Sequence, residues 1–90
     1  MWKIVFTKGA IKDKELLKRA GLEAKAKKLL DLISVNPYQK PPAYEKLIGD
    51  LEGYYSRRIN IQHRIVYKIC KEENAVIVFA MWTHYERNIK

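Results

Sequence analysis

Residues 54–67, with the sequence YYSRRINIQHRIVY, alternate apolar or aromatic side chains with polar and cationic ones. A period of two is typical of β-strands, because successive side chains of a strand point to opposite faces of the sheet. The segment therefore predicts two strands that pair as a hairpin. In such a hairpin the side chains of Arg58 and Arg64 can both project from the exposed face.

The inward face of this hairpin is predicted to hold Ile59 and Ile61, and Arg57 shares their parity. On the exposed face the two other arginines suit a phosphate group, since a planar guanidinium donates two hydrogen bonds and keeps its charge. Charged side chains are also common on half-buried strands as ordinary solvated groups. The residues of the hairpin leave both interpretations of its exposed arginines open.

The composition predicts one small folded domain with a basic surface. The chain has 90 residues, and 48% of them are hydrophobic, which favours a packed core over disorder. The formal net charge of +8 favours an anionic partner such as nucleic acid, a membrane surface or an acidic protein. A single cysteine, Cys70, excludes an internal disulfide and a cysteine-based zinc site, as expected for a cytoplasmic protein. No apolar run reaches the roughly 18 residues that a membrane-spanning helix needs.

Periodicity and helix-breaking residues divide the rest of the chain. They predict a strand over Trp2–Phe6 and two helices over Lys8–Ala20 and Leu22–Val35. A proline-containing loop over 36–42 and a long closing strand over Ala75–Tyr85 are predicted after them. The inward positions predicted on the first helix are Ile11, Leu17 and Ala20. This order of elements predicts an α+β fold, with two helices packed on one face of a mainly antiparallel sheet.

The second predicted helix carries the clearest apolar stripe of the chain. The stripe consists of Leu22, Ala26, Leu29, Leu30 and Ile33, and lysines flank it. A basic amphipathic helix is also typical of membrane-surface and calmodulin-target segments. Packing against the sheet is favoured here, because the strands otherwise have nothing to cover their inner face.

No glycine-rich phosphate loop, nucleophile elbow or histidine-rich metal spacing occurs in the sequence. The side chains that remain are those required for RNA cleavage without a metal. Such cleavage needs a base for the 2′-hydroxyl, an acid for the leaving 5′-oxygen and a cation for the phosphate. The candidates are Glu45, Arg58, Arg64, His84 and Tyr85.

Each candidate also has an ordinary structural interpretation. Glu45 can be a surface carboxylate after the proline loop, and His84 and Tyr85 can cap the end of the last strand. Judged on residue types alone, a non-catalytic basic binding module ranks ahead of a nuclease.

Three sequence elements narrow these alternatives: Gly53–Ile59, His63–Tyr67 and Trp82–Tyr85. At these spacings they resemble the YoeB/Txe toxins of the RelE superfamily, which are ribosome-dependent mRNA endonucleases (mRNA interferases) from toxin–antitoxin pairs. The resemblance extends over nearly the whole chain, from the first strand through the two helices and the proline loop to the closing strands. It implies a single RelE-like domain over residues 1–90, with residues 86–90 as a short C-terminal extension.

The resemblance also implies a mechanism and assigns residue roles. The 2′-hydroxyl of an mRNA in the ribosomal A site attacks the adjacent phosphate, with no metal and no cofactor. The general base of the family corresponds to Glu45, its general acid to His84 and its transition-state arginine to Arg64. A second phosphate-contacting arginine corresponds to Arg58, and the aromatic residue beside the acid corresponds to Tyr85.

Two departures from the family pattern concern the substrate contacts and the C-terminus. Some relatives carry a lysine where this chain has Ile48, so that one phosphate contact is either absent here or supplied by Lys46. Relatives typically stop at the tyrosine, whereas this chain continues through residues 86–90.

The resemblance finally implies several partners. These are an acidic antitoxin of the YefM/Axe type, the ribosome and its mRNA, operator DNA bound as a toxin–antitoxin complex, and a second copy of the chain in a homodimer. A non-enzymatic RNA- or DNA-binding module and an inactive toxin that acts only through protein partners are the rival interpretations.

Overall fold

One sheet of five strands, with two α-helices on one of its faces, makes up the part of the chain that the structure describes. The structure is a computed structural model and describes residues 1–82. Its elements are β1 (Lys3–Phe6), α1 (Lys8–Arg19), α2 (Glu23–Val35), β2 (Glu45–Lys46), β3 (Tyr54–Arg58), β4 (Arg64–Cys70) and β5 (Ala75–Ala80). The strand order is β1-β5-β4-β3-β2, and every neighbouring pair is antiparallel except the parallel pair of β1 and β5. The predicted α+β fold is confirmed.

The first helix begins at the predicted residue but presents a different face to the core. The Oγ1 atom of Thr7 accepts a hydrogen bond of 3.1 Å from the backbone amide of Ala10, as an N-cap residue does. Ala10, Asp13 and Leu17 are buried, whereas Ile11 is 55% exposed and Ala20 is also exposed. The inward positions predicted for Ile11 and Ala20 are therefore wrong.

Asp13 explains this error, because a carboxylate occupies a position on the inward stripe. Its Oδ2 atom accepts a hydrogen bond of 2.9 Å from the backbone amide of Met81. A polar group can be buried at low cost when it has such a partner, and the partner is 68 residues away in the sequence. A prediction based on apolar periodicity does not count Asp13 as an inward residue. It therefore assigns the inward face of the helix to the side that carries Ile11.

The second helix packs as predicted. Ala26, Leu29 and Ile33 are buried, and Leu22 and Leu30 pack against the same core, which faces the inner side of the sheet. Within residues 1–82, the helices lack the combination of length and apolar character that crossing a membrane would require.

The β3–β4 hairpin forms as predicted, but its turn is wider than the alternation suggests. Arg58 and Arg64 are directly opposite each other, and Ile59 packs against the core. The side chain of Asn60 accepts hydrogen bonds from the backbone amides of Gln62 and His63, so the chain has already left the strand there. Ile61 lies in this turn and is 83% exposed. The inward position predicted for Ile61 is wrong because the strand ends before it.

Arg57 points inward, as its parity predicts, and is only 1% exposed. Its Nε atom donates a hydrogen bond of 2.8 Å to the hydroxyl of Tyr67, which itself donates to the carbonyl oxygen of Pro37 at 3.3 Å. Burial raises the pKa of Tyr67, and the hydrogen bond from Arg57 partly opposes this shift. The folded protein therefore favours the neutral phenol.

This raised pKa predicts a loss of stability in alkaline solution. The contribution of a neutral Tyr67 is fully present below the unfolded pKa of about 10 and is lost as pH rises through the folded value. Urea unfolding between pH 8 and pH 11 should show a steeper decline for the parent protein than for Tyr67→Phe. The comparison with Tyr67→Phe isolates the contribution of this one hydroxyl group, because every other titratable group is present in both proteins. Parallel curves would contradict the prediction.

Candidate active site

A carboxylate and an arginine approach each other on the sheet face that the helices leave uncovered, and a second arginine lies opposite the first across a strand pair. Arg58 on β3 is opposite Arg64 on β4, and Glu45 on β2 is opposite Ser56 on β3. Ser56 and Arg58 are two residues apart on one strand, so their side chains point to the same face. The register of three strands therefore places Glu45, Arg58 and Arg64 on the same side of the sheet. Arg58, the last residue of β3, also lines a concavity with Lys25 and Lys28 of α2.

Glu45 and Arg64 form an ion pair within this group. The Oε1 atom of Glu45 lies 3.8 Å from the Nη1 atom of Arg64. The side chain of Arg64 is 18% exposed and that of Glu45 is 68% exposed. The guanidinium is thus held against the protein, while the carboxylate remains accessible to a ligand. An ion pair with one exposed partner adds little to stability.

This arrangement has the chemical groups needed for a reaction at a phosphate. An accessible carboxylate can take a proton from a hydroxyl group. A guanidinium beside it can stabilise negative charge that develops on phosphate oxygens. A second guanidinium, that of Arg58, lies across the strand pair from the first. Among residues 1–82, no three His, Cys, Asp or Glu side chains are grouped so that they could hold a metal ion.

Lys46 is not on this face. It is opposite Tyr55 in the pairing of β2 with β3, and Tyr55 packs against the core on the helix side. Lys46 lines a separate concavity there with Tyr38, Tyr44, Tyr55 and Lys71. Because neighbouring residues of a strand point to opposite faces, the structure separates Lys46 from Glu45 and Arg64. On the face that carries Arg64, Lys46 therefore does not supply the phosphate contact that some relatives make with a lysine at the position of the exposed Ile48.

The predicted acid His84, its neighbour Tyr85 and the extension 86–90 lie outside the described residues. The chain that leads to them is described as far as Trp82. Ala80 at the end of β5 is opposite Val66, two residues from Arg64 on β4. The ring of Trp82 stacks on His63, the residue before Arg64, with a centroid distance of 4.1 Å. The described chain therefore ends at the same end of the sheet as Arg64.

Sequence reasoning missed two contacts that support this region. One is the stack of His63 on Trp82, since nothing in the sequence relates residues 19 positions apart. The other is the set of hydrogen bonds made by Arg57, which donates to loop carbonyl oxygens as well as to Tyr67. The inward parity of Arg57 was a usable signal for its burial. The backbone carbonyl groups that satisfy it carry no sequence signal.

Comparison with known proteins identifies the family. The family model described as a YoeB-like toxin of bacterial type II toxin-antitoxin systems matches residues 6–85. The Toxin YoeB of Synechocystis sp. (strain ATCC 27184 / PCC 6803 / Kazusa) is 39% identical over 75 residues, which are 83% of this chain and 78% of the relative.

Solved structures agree with this match. The YoeB/ParE toxin from Agrobacterium tumefaciens has a TM-score of 0.82 at 32% identity, covering 92% of this chain and 99% of its own. The chain is also similar to the heterotetrameric YoeB-YefM complex from Staphylococcus aureus, with a TM-score of 0.78 at 32% identity over 94% of this chain and 99% of that chain. The YoeB dimer from Staphylococcus aureus gives a TM-score of 0.77 at 32% identity over 93% of this chain and 98% of that chain. With its α+β fold and its matching sequence, the chain belongs to the YoeB-like toxins of bacterial type II toxin–antitoxin systems, within the RelE superfamily.

Proposed function

We propose that this toxin is a ribosome-dependent endoribonuclease, an mRNA interferase that cuts mRNA in the ribosomal A site and thereby inhibits translation. The observation that carries the proposal is the approach of Glu45 to Arg64 at 3.8 Å on an accessible face, with Arg58 opposite Arg64. Phosphate binding alone relies on cations, so an accessible carboxylate beside Arg64 favours proton transfer over binding alone. Family membership supports the same conclusion.

The proposed reaction is an internal transfer at one phosphate. Glu45 takes the proton of the 2′-hydroxyl, and the 2′-oxygen forms a bond to the adjacent phosphorus. The bond between phosphorus and the 5′-oxygen breaks, and His84 supplies the proton that this oxygen needs. The products are a 2′,3′-cyclic phosphate and a 5′-hydroxyl. Arg64 and Arg58 stabilise the charge on the phosphate oxygens, and Tyr85 contacts the substrate beside the acid.

The ribosome has a physical role in this proposal. The Glu45 side chain is largely exposed, and in this proposal the toxin relies on the ribosome to hold the flexible RNA in reactive geometry. Positioning of the attacking and leaving groups can contribute several orders of magnitude to a rate. A ribosome that already holds the mRNA supplies that positioning, and the net charge of +8 favours association with ribosomal RNA through counterion release. The site of action is therefore the cytoplasm.

The proposed protein partners are those found in the structures of the relatives. The Staphylococcus aureus protein forms a heterotetrameric complex with YefM and is also found as a dimer. We extend both to this chain, as an acidic antitoxin that neutralises it and a homodimer of the toxin. Electrostatic complementarity favours an acidic partner for a protein of this charge. The toxin–antitoxin complex is further proposed to bind operator DNA.

The test is inducible expression in a bacterium, followed by mapping of mRNA 5′ ends through primer extension. We expect growth arrest and cuts inside translated codons, with new 5′ ends that cannot be ligated until a kinase phosphorylates them. Co-expression of the acidic protein encoded beside this toxin should suppress the cuts. The same transcript with its start codon removed is the control and should stay intact. Equal cutting of translated and untranslated transcripts, or no cutting at all, would refute ribosome-dependent cleavage.

A further inference from the structure

One buried side chain holds the loop that leads to the proposed catalytic base. This α2–β2 loop, residues 36–44, connects the second helix to the short strand that carries Glu45. Within residues 1–82 the guanidinium of Arg57 donates four hydrogen bonds of 2.7–2.9 Å, to the hydroxyl of Tyr67 and to the carbonyl oxygens of Pro37, Gln39 and Pro42. We name this set of contacts the Arg57 clamp.

The clamp uses properties that only arginine has. A buried cation is costly unless its donors are satisfied, and here neutral oxygens accept four hydrogen bonds from the five N–H groups of Arg57. Three of the acceptors are backbone carbonyl groups of the loop: Nη2 donates to Pro37 and Gln39, and Nη1 donates to Pro42. Lysine offers its donors from a single nitrogen and cannot span such a set. Arg57 therefore determines the path of the loop.

Contacts continue from the clamp to the base. The ring of Tyr44, the residue immediately before Glu45, lies over the Arg57 guanidinium, with Cζ 4.9 Å from the ring centroid. The same ring meets that of Tyr55 edge-on at 5.4 Å. Beyond Tyr44, β2 consists of two residues, and its register places Glu45 opposite Ser56, the neighbour of Arg57. A strand this short depends on the chain that enters it for its position.

We infer that Arg57 is a positioning residue that sets the location of Glu45 relative to Arg64 for proton transfer. This inference rests on the proposed function. A general base must be within hydrogen-bonding distance of the proton that it removes, and a displacement of about 1 Å can slow a reaction about 10²-fold. Arg57 acts from the helix side of the sheet and does not contact the substrate on the open face.

A double-mutant cycle tests whether Arg57 acts through Glu45. Arg57→Lys is made in the parent and in Glu45→Gln, and single-turnover cleavage is measured on mRNA-programmed ribosomes at saturating ribosome concentration. In the parent, Arg57→Lys should lower the rate about 10- to 100-fold. In Glu45→Gln it should cost less than about threefold, because residues that act as one unit have strongly non-additive effects. The ribosome concentration at half-saturation should stay unchanged in both backgrounds.

Two further variants separate positioning from general stability. Leu17→Ala opens a cavity in the core at α1 and should leave the cleavage rate per folded molecule at the parental value. Tyr67→Phe removes one of the four clamp acceptors and should give a smaller loss than Arg57→Lys, again only when Glu45 is present. This milder variant carries the test if Arg57→Lys does not fold.

The outcomes separate the two proposals. The role of Arg57 would be overturned if Arg57→Lys lowered the cleavage rate by the same factor in the parent and in Glu45→Gln. It would also be overturned if Arg57→Lys and Leu17→Ala lowered the rate per folded molecule equally. Either result would leave the proposed nuclease activity intact. A parent protein that cuts no RNA on ribosomes would overturn the proposed function, and the positioning role with it.

Discussion

Glu45→Gln should lower the single-turnover rate of mRNA cleavage by about 10²- to 10⁴-fold and remove the acidic limb of its pH profile. A general base must be ionised to accept the 2′-hydroxyl proton, so its protonation produces the fall in rate at low pH. Glutamine has a similar shape and cannot accept that proton. The measurement is cleavage on programmed ribosomes, followed across mildly acidic to alkaline pH.

The counterpart of this variant is His84→Ala, which should remove the alkaline limb if His84 is the acid. Glu45→Gln should fold normally, because the Glu45 side chain is 68% exposed and substitutions of exposed groups usually change stability by no more than about 0.5 kcal/mol. A His84→Ala variant that melts early yet cuts at the parental rate when folded would assign His84 a structural role at the strand end. Retention of the acidic limb in Glu45→Gln would refute Glu45 as the base.

Arg64→Ala should slow cleavage about 10²- to 10³-fold and leave both limbs of the pH profile in place. This is the loss typical of removing one preorganised donor that stabilises a transition-state anion. Arg64 remains charged at every accessible pH, so it acts on the phosphate and transfers no proton. The expected defect is in the cleavage rate at saturating ribosome concentration.

The matched control is Arg19→Ala, which removes the same charge from the exposed end of α1 on the opposite side of the sheet. It should reduce ribosome affinity slightly through its charge and leave the saturated rate unchanged. If both arginine variants lower only the affinity, and by similar factors, Arg64 contributes general charge and the transition-state assignment is wrong.

Local sequence patterns predicted most of the fold, because they report on single elements. Period-two alternation located β3 and β4 and placed Arg58 and Arg64 on one face. The stripe on α2 identified its buried residues. Each of these features follows from repeating backbone geometry, in which the spacing of residues determines the direction of their side chains.

Features that depend on distant partners could not be predicted in the same way. Asp13 occupies an inward position only because the amide of Met81 satisfies its carboxylate. Arg57 is buried because carbonyl groups from the α2–β2 loop surround it, and every residue type has a carbonyl group. The sequence shows that Arg57 shares an inward parity; it does not show that neutral acceptors are available for the charge.

In the candidate site, too, the sequence predicted some features and the tertiary structure determined others. Residue types and spacing, together with the resemblance to a family, identify Glu45, Arg58, Arg64, His84 and Tyr85 as candidates. That Glu45 shares a face with Arg64 while Lys46 is turned away was decided by the pairing of a two-residue strand with β3. A shift of one residue in that register would exchange the two side chains. The loop that leads into this strand is held by contacts with Arg57 and Tyr55, which side-chain periodicity does not report, so only the tertiary structure could determine the register.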